Sequence, residues 1–313
     1  MEQQQPQRRL KTNLRISSNM DLKAYLAQQQ QRIEATLNDV LPQSNGSTAK
    51  LVEAMRYSLF AGGKRLRPIL VIAACEAVGG NTELAMRPAC ALEMIHTYSL
   101  IHDDLPAMDD DNFRRGIPTN HKVFGEASAI LAGDALLTEA FVLLSRPCPE
   151  LDPATQIQLV NIAACASGRD GMVGGQMVDM AAEGRENSVD TVNFIHEHKT
   201  GALIRASLQM GAIIGGADTK QLQQITTFGN HAGLAFQIAD DLLDIEATQE
   251  QLGKDVGSDQ QRGKATYPAV VGVDQARHQA TELHQAALEA LVPFSSAAEP
   301  LRQISAYIIN RKQ

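Results

Sequence analysis

From Asp21 onward, apolar residues return at helical spacing. Leu22, Leu26, Ile33 and Leu37 fall on one face of a helix, with polar positions opposite them. Residues 50–60 (KLVEAMRYSLF) repeat the pattern, and Gly62-Gly63 ends it. Pro68 opens PILVIAACEAVGG, apolar almost all round, which predicts a buried helix. Pro88 opens a further stretch, PACALEMIHTYSLIHDD, broken at Leu105-Pro106. The same periodicity predicts helices over 125–145, 155–170, 190–214, 220–247, 274–292 and 298–311. Gly79-Gly80, Pro147 to Pro153, Gly184 and Gly215-Gly216 punctuate them. Sustained period-two alternation is absent, so no sheet is predicted.

No long linker or shift in composition interrupts the series. The expectation is one all-α domain of about ten or more helices over residues 21–313, after a flexible leader at residues 1–20 that is rich in Gln and Arg. A chain of 313 residues with 44% hydrophobic content is long and apolar enough to bury a large core, which excludes global disorder. Its net charge of -8 makes it a poor general binder of nucleic acid or anionic membrane. The uncharged apolar runs fall short of the ~18 residues a membrane span needs, and the N-terminus lacks a signal-type apolar core, so neither a span nor secretion is expected. Cys75, Cys90, Cys148 and Cys165 form no C-x-x-C pair. They are expected as buried free thiols in a reducing cytoplasm.

Chemistry is concentrated in two acidic segments. His102-Asp103-Asp104-Leu105-Pro106-Ala107-Met108-Asp109-Asp110-Asp111 places five carboxylates within nine positions beside an apolar helix. Their mutual repulsion rises as water is excluded, and a divalent cation would relieve it. The second segment is Phe236-Gln237-Ile238-Ala239-Asp240-Asp241-Leu242-Leu243-Asp244. On a helix Asp240 and Asp244 share a face, while Leu234, Ile238, Leu242 and Ile245 pack another side. One acidic run is ordinarily a solvated face or a cap; two, each ending a buried apolar helix, point to a metal. Neither has the spacing of a calcium loop, and the Glu-x-x-His pairs of a di-iron bundle are missing, which leaves Mg²⁺.

Several basic groups answer these carboxylates. Gly62-Gly63-Lys64-Arg65-Leu66-Arg67-Pro68 joins a flexible turn, three cations and a helix start, an anion-binding combination without the P-loop spacing. Arg114-Arg115-Gly116 follows the first acidic segment; its guanidiniums either pair with those aspartates or each take an anion. Lys199-Thr200-Gly201 is a third candidate, on or near a helix, with a surface lysine as the default reading. Lys254 and Lys264 lie in the Gly-rich stretch after the second acidic segment. Nucleophile-elbow and dinucleotide motifs are missing. Two metal-type acidic clusters, several cations and an apolar helical interior suit chemistry on an apolar molecule that carries a diphosphate.

GGKRLRP (62–68), DDLPAMD (103–109), RRG (114–116), GDALL (133–137), KTG (199–201) and FQIADDLLD (236–244) occur in an order that resembles the short-chain trans-isoprenyl diphosphate synthases, especially the bacterial farnesyl type. The resemblance covers nearly the whole chain from residue 20. It implies an all-α, isoprenoid-synthase-type bundle around a large central cavity. It implies two to three Mg²⁺ ions, held by Asp103, Asp104 and Asp109 on one wall and by Asp240, Asp241 and Asp244 on the other. Lys64, Arg67, His96 and Arg115 are expected on isopentenyl diphosphate. Arg114, Lys199, Thr200, Gln237, Lys254 and Lys264 are expected around the allylic diphosphate, with Lys199, Thr200 and Gln237 also stabilising the carbocation. A cytoplasmic homodimer is expected.

The expected reaction ionises an allylic diphosphate, adds isopentenyl diphosphate at C1 and loses a proton, with farnesyl diphosphate as product. Tyr98 and Ser99, one turn before Asp103, are the candidates for the cavity floor that sets product length; Tyr98 reads equally as a core residue. Geranyl and geranylgeranyl synthases are the near alternatives. A terpene cyclase would not need GGKRLRP, and a non-catalytic subunit would be expected to have lost carboxylates or cations.

Overall fold

In the computed structural model, which describes residues 20–246 and 263–310, the chain folds as helices around a two-part apolar core. The leading helices are α1 (Leu22–Val40), α2 (Ala49–Leu59), α3 (Leu66–Ala77) and α4 (Thr82–Asp103). Then follow α5 (Asn120–Phe124), α6 (Glu126–Ser145), α7 (Pro153–Ser167), α8 (Met172–Ala182) and α9 (Val189–Ile195). A π-helical turn (His196–Gly201) runs directly into α10 (Ala202–Ile214). The long α11 (Thr219–Glu246) precedes α12 (Tyr267–Val271), α13 (Val273–Ala290) and α14 (Glu299–Asn310).

The central helix α3 is buried along most of its length, as its unbroken apolar run requires. Pro68 sits in its first turn, where a missing N–H costs no intrahelical bond. Glycines bring the neighbouring helix closer than any side chain permits: a Cβ on Gly211 of α10 would collide with the Val71 carbonyl of α3. α4 lies between α3 and α6, and its glycine contact is equally close, with Gly133 of α6 directly against the His102 ring. A second apolar cluster joins α9, α11 and α13 through Val192, Ile195, Ala235, Ile238, Leu242 and Leu283.

Three local expectations need correction. α4 does not start at Pro88; Asn81 caps it by accepting from the Glu83 N–H, and the helix runs through the proline. One missing ladder bond is tolerated there because the helix is buried on most sides. A two-stranded hairpin is present, with β1 (Phe113–Arg114) antiparallel to β2 (Ile117–Pro118) and Arg114 opposite Ile117. Arg115 and Gly116 both take positive φ, 54° and 80°, which makes the tight turn, and strands of two residues are too short to show alternation. Cys75 and Cys90 are buried, but Cys165 is exposed and Cys148 only half-buried. Among the described residues α6 alone is long and apolar enough by length and composition to cross a membrane, with a mean hydropathy of 1.7, but Asp134 and Glu139 interrupt its apolar run, as the sequence reading has it. Its inner residues, including Ala132, Leu136 and Leu143, pack in the core, whereas Ile130, Leu131 and Val142 are exposed.

Candidate active site

α4 ends at Asp103, and the first acidic segment then turns back on itself through N–H bonds from Asp109 to the Asp103 carbonyl (2.9 Å) and from Met108 to that of Leu105 (2.8 Å). The carboxylates part company here. Asp103 accepts from the Gln176 amide of α8. Burial raises its pKa, and the Asp109 charge adds to that, against the pull of Lys199, Lys264 and Arg114. Asp104 turns the other way, to the hairpin, where Arg114 grips it with Nε at 2.7 and 2.9 Å and Nη2 at 2.6 Å. Burial pushes Asp104 up to about 6 despite that partner. Arg114 is thus paired with Asp104, which is buried on the hairpin side.

Two lysines bridge the first acidic segment to the rest of the site. Lys199, in the π-helical turn, meets Asp179 of α8 at 2.6 Å. Lys264, after the second acidic segment, lies 3.2 Å from Asp109, 3.8 Å from Asp179 and 3.9 Å from Glu183. Burial alone would weaken the Lys264 proton, but Asp179, Asp109 and Asp103 hold its pKa above the ordinary lysine value. The π turn interrupts regular helix hydrogen bonding at Lys199 and Thr200, a distortion that recurs at functional sites. Gly175 makes this approach feasible, since a Cβ there would collide with the Lys199 backbone nitrogen. Gln176 and Asp179 were not singled out from sequence. The available signal was GGQMVD, two polar residues at i and i+3 on an otherwise apolar segment.

The second acidic segment lies on α11. Gln237 and Asp240 are three apart and share a face. Asp240 is exposed and close enough to Arg67 of the basic loop to favour its charge. Asp241 is held instead: its Oδ2 accepts the Tyr267 N–H at 2.7 Å and lies 3.2 Å from His196 Nε2. Asp244 is buried. Among the described residues no three acidic, histidine or cysteine side chains gather into a metal cage. Lys254 lies outside the described residues.

The basic loop sits across from α11. His96 of α4 faces it, and burial together with Arg67, Arg115, Arg114 and Arg65 holds its pKa well below 6.5. Burial pushes Arg67 down to about 10, and its Nε is a buried donor with no partner among the described residues. Arg115 donates to the Gly62 carbonyl and lies over Gly63, where a Cβ would come within 2.5 Å of its guanidinium carbon. Lys64 is exposed, 5.9 Å from the Tyr307 ring of α14. Thus Arg67 and Arg115 lie close enough to His96 to act on its charge, Lys64 sits by the Tyr307 ring, and Arg65 points inward.

Tyr98 is buried at 6% exposure, its ring edge-on to His102 at 5.7 Å. His102 is in turn held 3.0 Å from the Ile130 carbonyl of α6. Ser99 shares the face of Asp103, four residues on, and donates to the His96 carbonyl at 2.8 Å. Tyr98 is rotated by about 140° from Asp103, toward α6.

Residues 48–294 match the family model described as polyprenyl synthetase. The chain belongs to the polyprenyl synthetase family. It is 49% identical over 261 residues to a farnesyl diphosphate synthase of Geobacillus stearothermophilus, covering 83% of this chain and 88% of that one. It is 46% identical over 297 residues to a geranylgeranyl diphosphate synthase of Cyanophora paradoxa, covering 95% and 98%. The crystal structure of an FPP/GFPP synthase from Zymomonas mobilis superposes with a TM-score of 0.83 at 42% identity, over 92% of this chain and 98% of that chain. The polyprenyl synthetase family accounts for the all-α bundle, and the protein is a prenyltransferase of isoprenoid biosynthesis.

Proposed function

We propose that this prenyltransferase condenses isopentenyl diphosphate with dimethylallyl and then geranyl diphosphate to give (2E,6E)-farnesyl diphosphate. The observation that carries the reading is the meeting of the first acidic segment and the π turn around Asp179: Lys199 and Lys264 reach it from distant parts of the chain, and both act on Asp103. Arg67 and Arg115, with His96 beside them, form a second cationic pocket. Two cationic pockets suit two diphosphates.

The acidic residues fit Mg²⁺. This ion keeps several waters and takes one or two carboxylates together with substrate phosphate oxygens, so a closed protein cage is not required. Asp103 and Asp109 repel each other across a partly dry site, which a cation would relieve. They would hold the ion on the first wall and Asp240 on the second, with Asp244 behind it. Asp104 and Asp241 act as supports, through Arg114 and through His196 with Tyr267. Bound Mg²⁺ supplies Lewis-acid charge for the departing diphosphate. Lys199, Lys264 and Arg114 neutralise the same group as the C–O bond ionises. The Lys199 carbonyl, Thr200 and Gln237 offer dipoles to the allylic cation. Arg67, Lys64, His96 and Arg115 orient isopentenyl diphosphate so that its double bond meets C1, and the released diphosphate takes the proton. The apolar helices keep water from the cation.

Tyr98 and Ser99 support the C15 product: they lie one turn before Asp103, and the Tyr98 ring is buried against His102, which is held on α6. The second reading is a geranylgeranyl product, favoured by the Cyanophora relative. Incubation with isopentenyl diphosphate, Mg²⁺ and dimethylallyl or geranyl diphosphate, followed by chromatography, tests both. Dominant C15 is expected, dominant C20 replaces the farnesyl reading, and no condensation refutes the whole.

The protein is further proposed to act as a cytoplasmic homodimer, its domain beginning near residue 21. The exposed Ile130, Leu131 and Val142 of α6, with Ile157 of α7, give a second copy an apolar face. The four free cysteines suit a reducing compartment. Light scattering showing a monomer would refute the dimer.

A further inference from the structure

The basic loop presents three cations in sequence, yet the middle one faces the opposite way from its neighbours. Arg65 caps α3 with φ 51° and ψ 34°, a left-handed conformation that residues with a Cβ rarely adopt. The reversal carries its side chain into the core, and the residue is 2% exposed. There Nη1 donates to Glu93 at 2.8 Å, Nη2 donates to the Leu59 carbonyl at 2.7 Å, and Nε lies 3.6 Å from Glu34. Glu93 is 1% exposed and stands on α4 one turn before His96. Its negative charge reaches both Arg67 and Arg115.

Glu93 is thus a carboxylate buried behind the cationic pocket. Left without Arg65 it would need another cation, and its charge already acts on the two guanidiniums assigned to the substrate. We propose that Arg65 is a positioning residue: by neutralising Glu93 and fixing α4 to the loop, it leaves Arg67 and Arg115 for the diphosphate of isopentenyl diphosphate. The proposal rests on the assignment of that pocket to isopentenyl diphosphate.

Steady-state kinetics on the full-length enzyme test it, with each substrate varied while the other saturates. If wild type turns over neither substrate, the functional reading fails and not this one. Arg65→Met is expected to raise the half-saturating concentration of isopentenyl diphosphate about tenfold while that of geranyl diphosphate changes less than about twofold. Arg65→Met/Glu93→Gln, which leaves no lone buried charge, is expected to return to within about threefold of wild type. No change in Arg65→Met, a parallel rise for both substrates, or a double variant as weak as the single overturns the proposal; the last would make Arg65 a direct ligand. Should thermal melts show that Arg65→Met does not fold, the double variant decides: near-wild-type half-saturation supports the proposal and a loss of about tenfold overturns it.

Discussion

In the first acidic segment Asp104, Asp109 and Asp110 meet Arg114, Lys264 and Lys122. In the second, Asp241 is held by a histidine ring and a backbone N–H. One wall is an electrostatic set of carboxylate–cation pairs, and the proposed function has its long lysines exchange a carboxylate partner for an arriving phosphate. The other is a scaffold, in which Asp241, next to the exposed Asp240, ties α11 to the π turn through His196 and to the start of α12 through Tyr267. Identical side chains therefore serve charge balance in one place and geometry in the other, and their variants are expected to differ accordingly.

The greatest loss is expected for Asp103→Ala: turnover falls by about a thousandfold or more, and the circular dichroism melt stays near wild type. Unchanged turnover at saturating Mg²⁺ would remove the first wall from the chemistry. Next, Asp240→Ala is expected to cost turnover with little effect on melting, while Asp241→Asn lowers stability by about 1–3 kcal/mol through its lost charge-assisted bonds. Equal melting temperatures for the two would erase the contrast between ligand and support.

A third effect follows from His96. Unfolded histidine takes up a proton near 6.5, but buried among four arginines His96 does so only at much lower pH. The unfolded chain therefore binds more protons below that value, and stability falls by about 1.4 kcal/mol per pH unit as the pH drops below 6.5. Denaturant melts of wild type and His96→Gln measure it; the variant should show a flatter slope, and identical slopes would exclude His96 as the source. The smallest expected change is in product length. Tyr98→Ala should add product beyond C15, and Ser99→Ala less. Chromatography that finds only C15 from Tyr98→Ala would end the floor reading.

The helices were legible because a 3.6-residue apolar period is a local property of the chain, as in α1 and α11. The acidic motifs were legible for the same reason: Asp240 and Asp244, or Ser99 and Asp103, share a face by spacing alone. The hairpin at Phe113–Pro118 was not, because strands of two residues leave no period to read. Gln176 and Asp179 were missed because their role comes from Asp103 and Lys199, which lie far away along the chain.

Sequence alone thus determined the helical class, the order of the motifs and which residues share a helix face, all consequences of short-range backbone geometry. Tertiary structure decided that Arg65 faces Glu93 rather than solvent, that Asp104 belongs to Arg114, and that Asp241 belongs to His196 and Tyr267. A buried charge takes whichever opposite group or N–H the crossing helices bring within reach, and that reach is set by packing between distant segments.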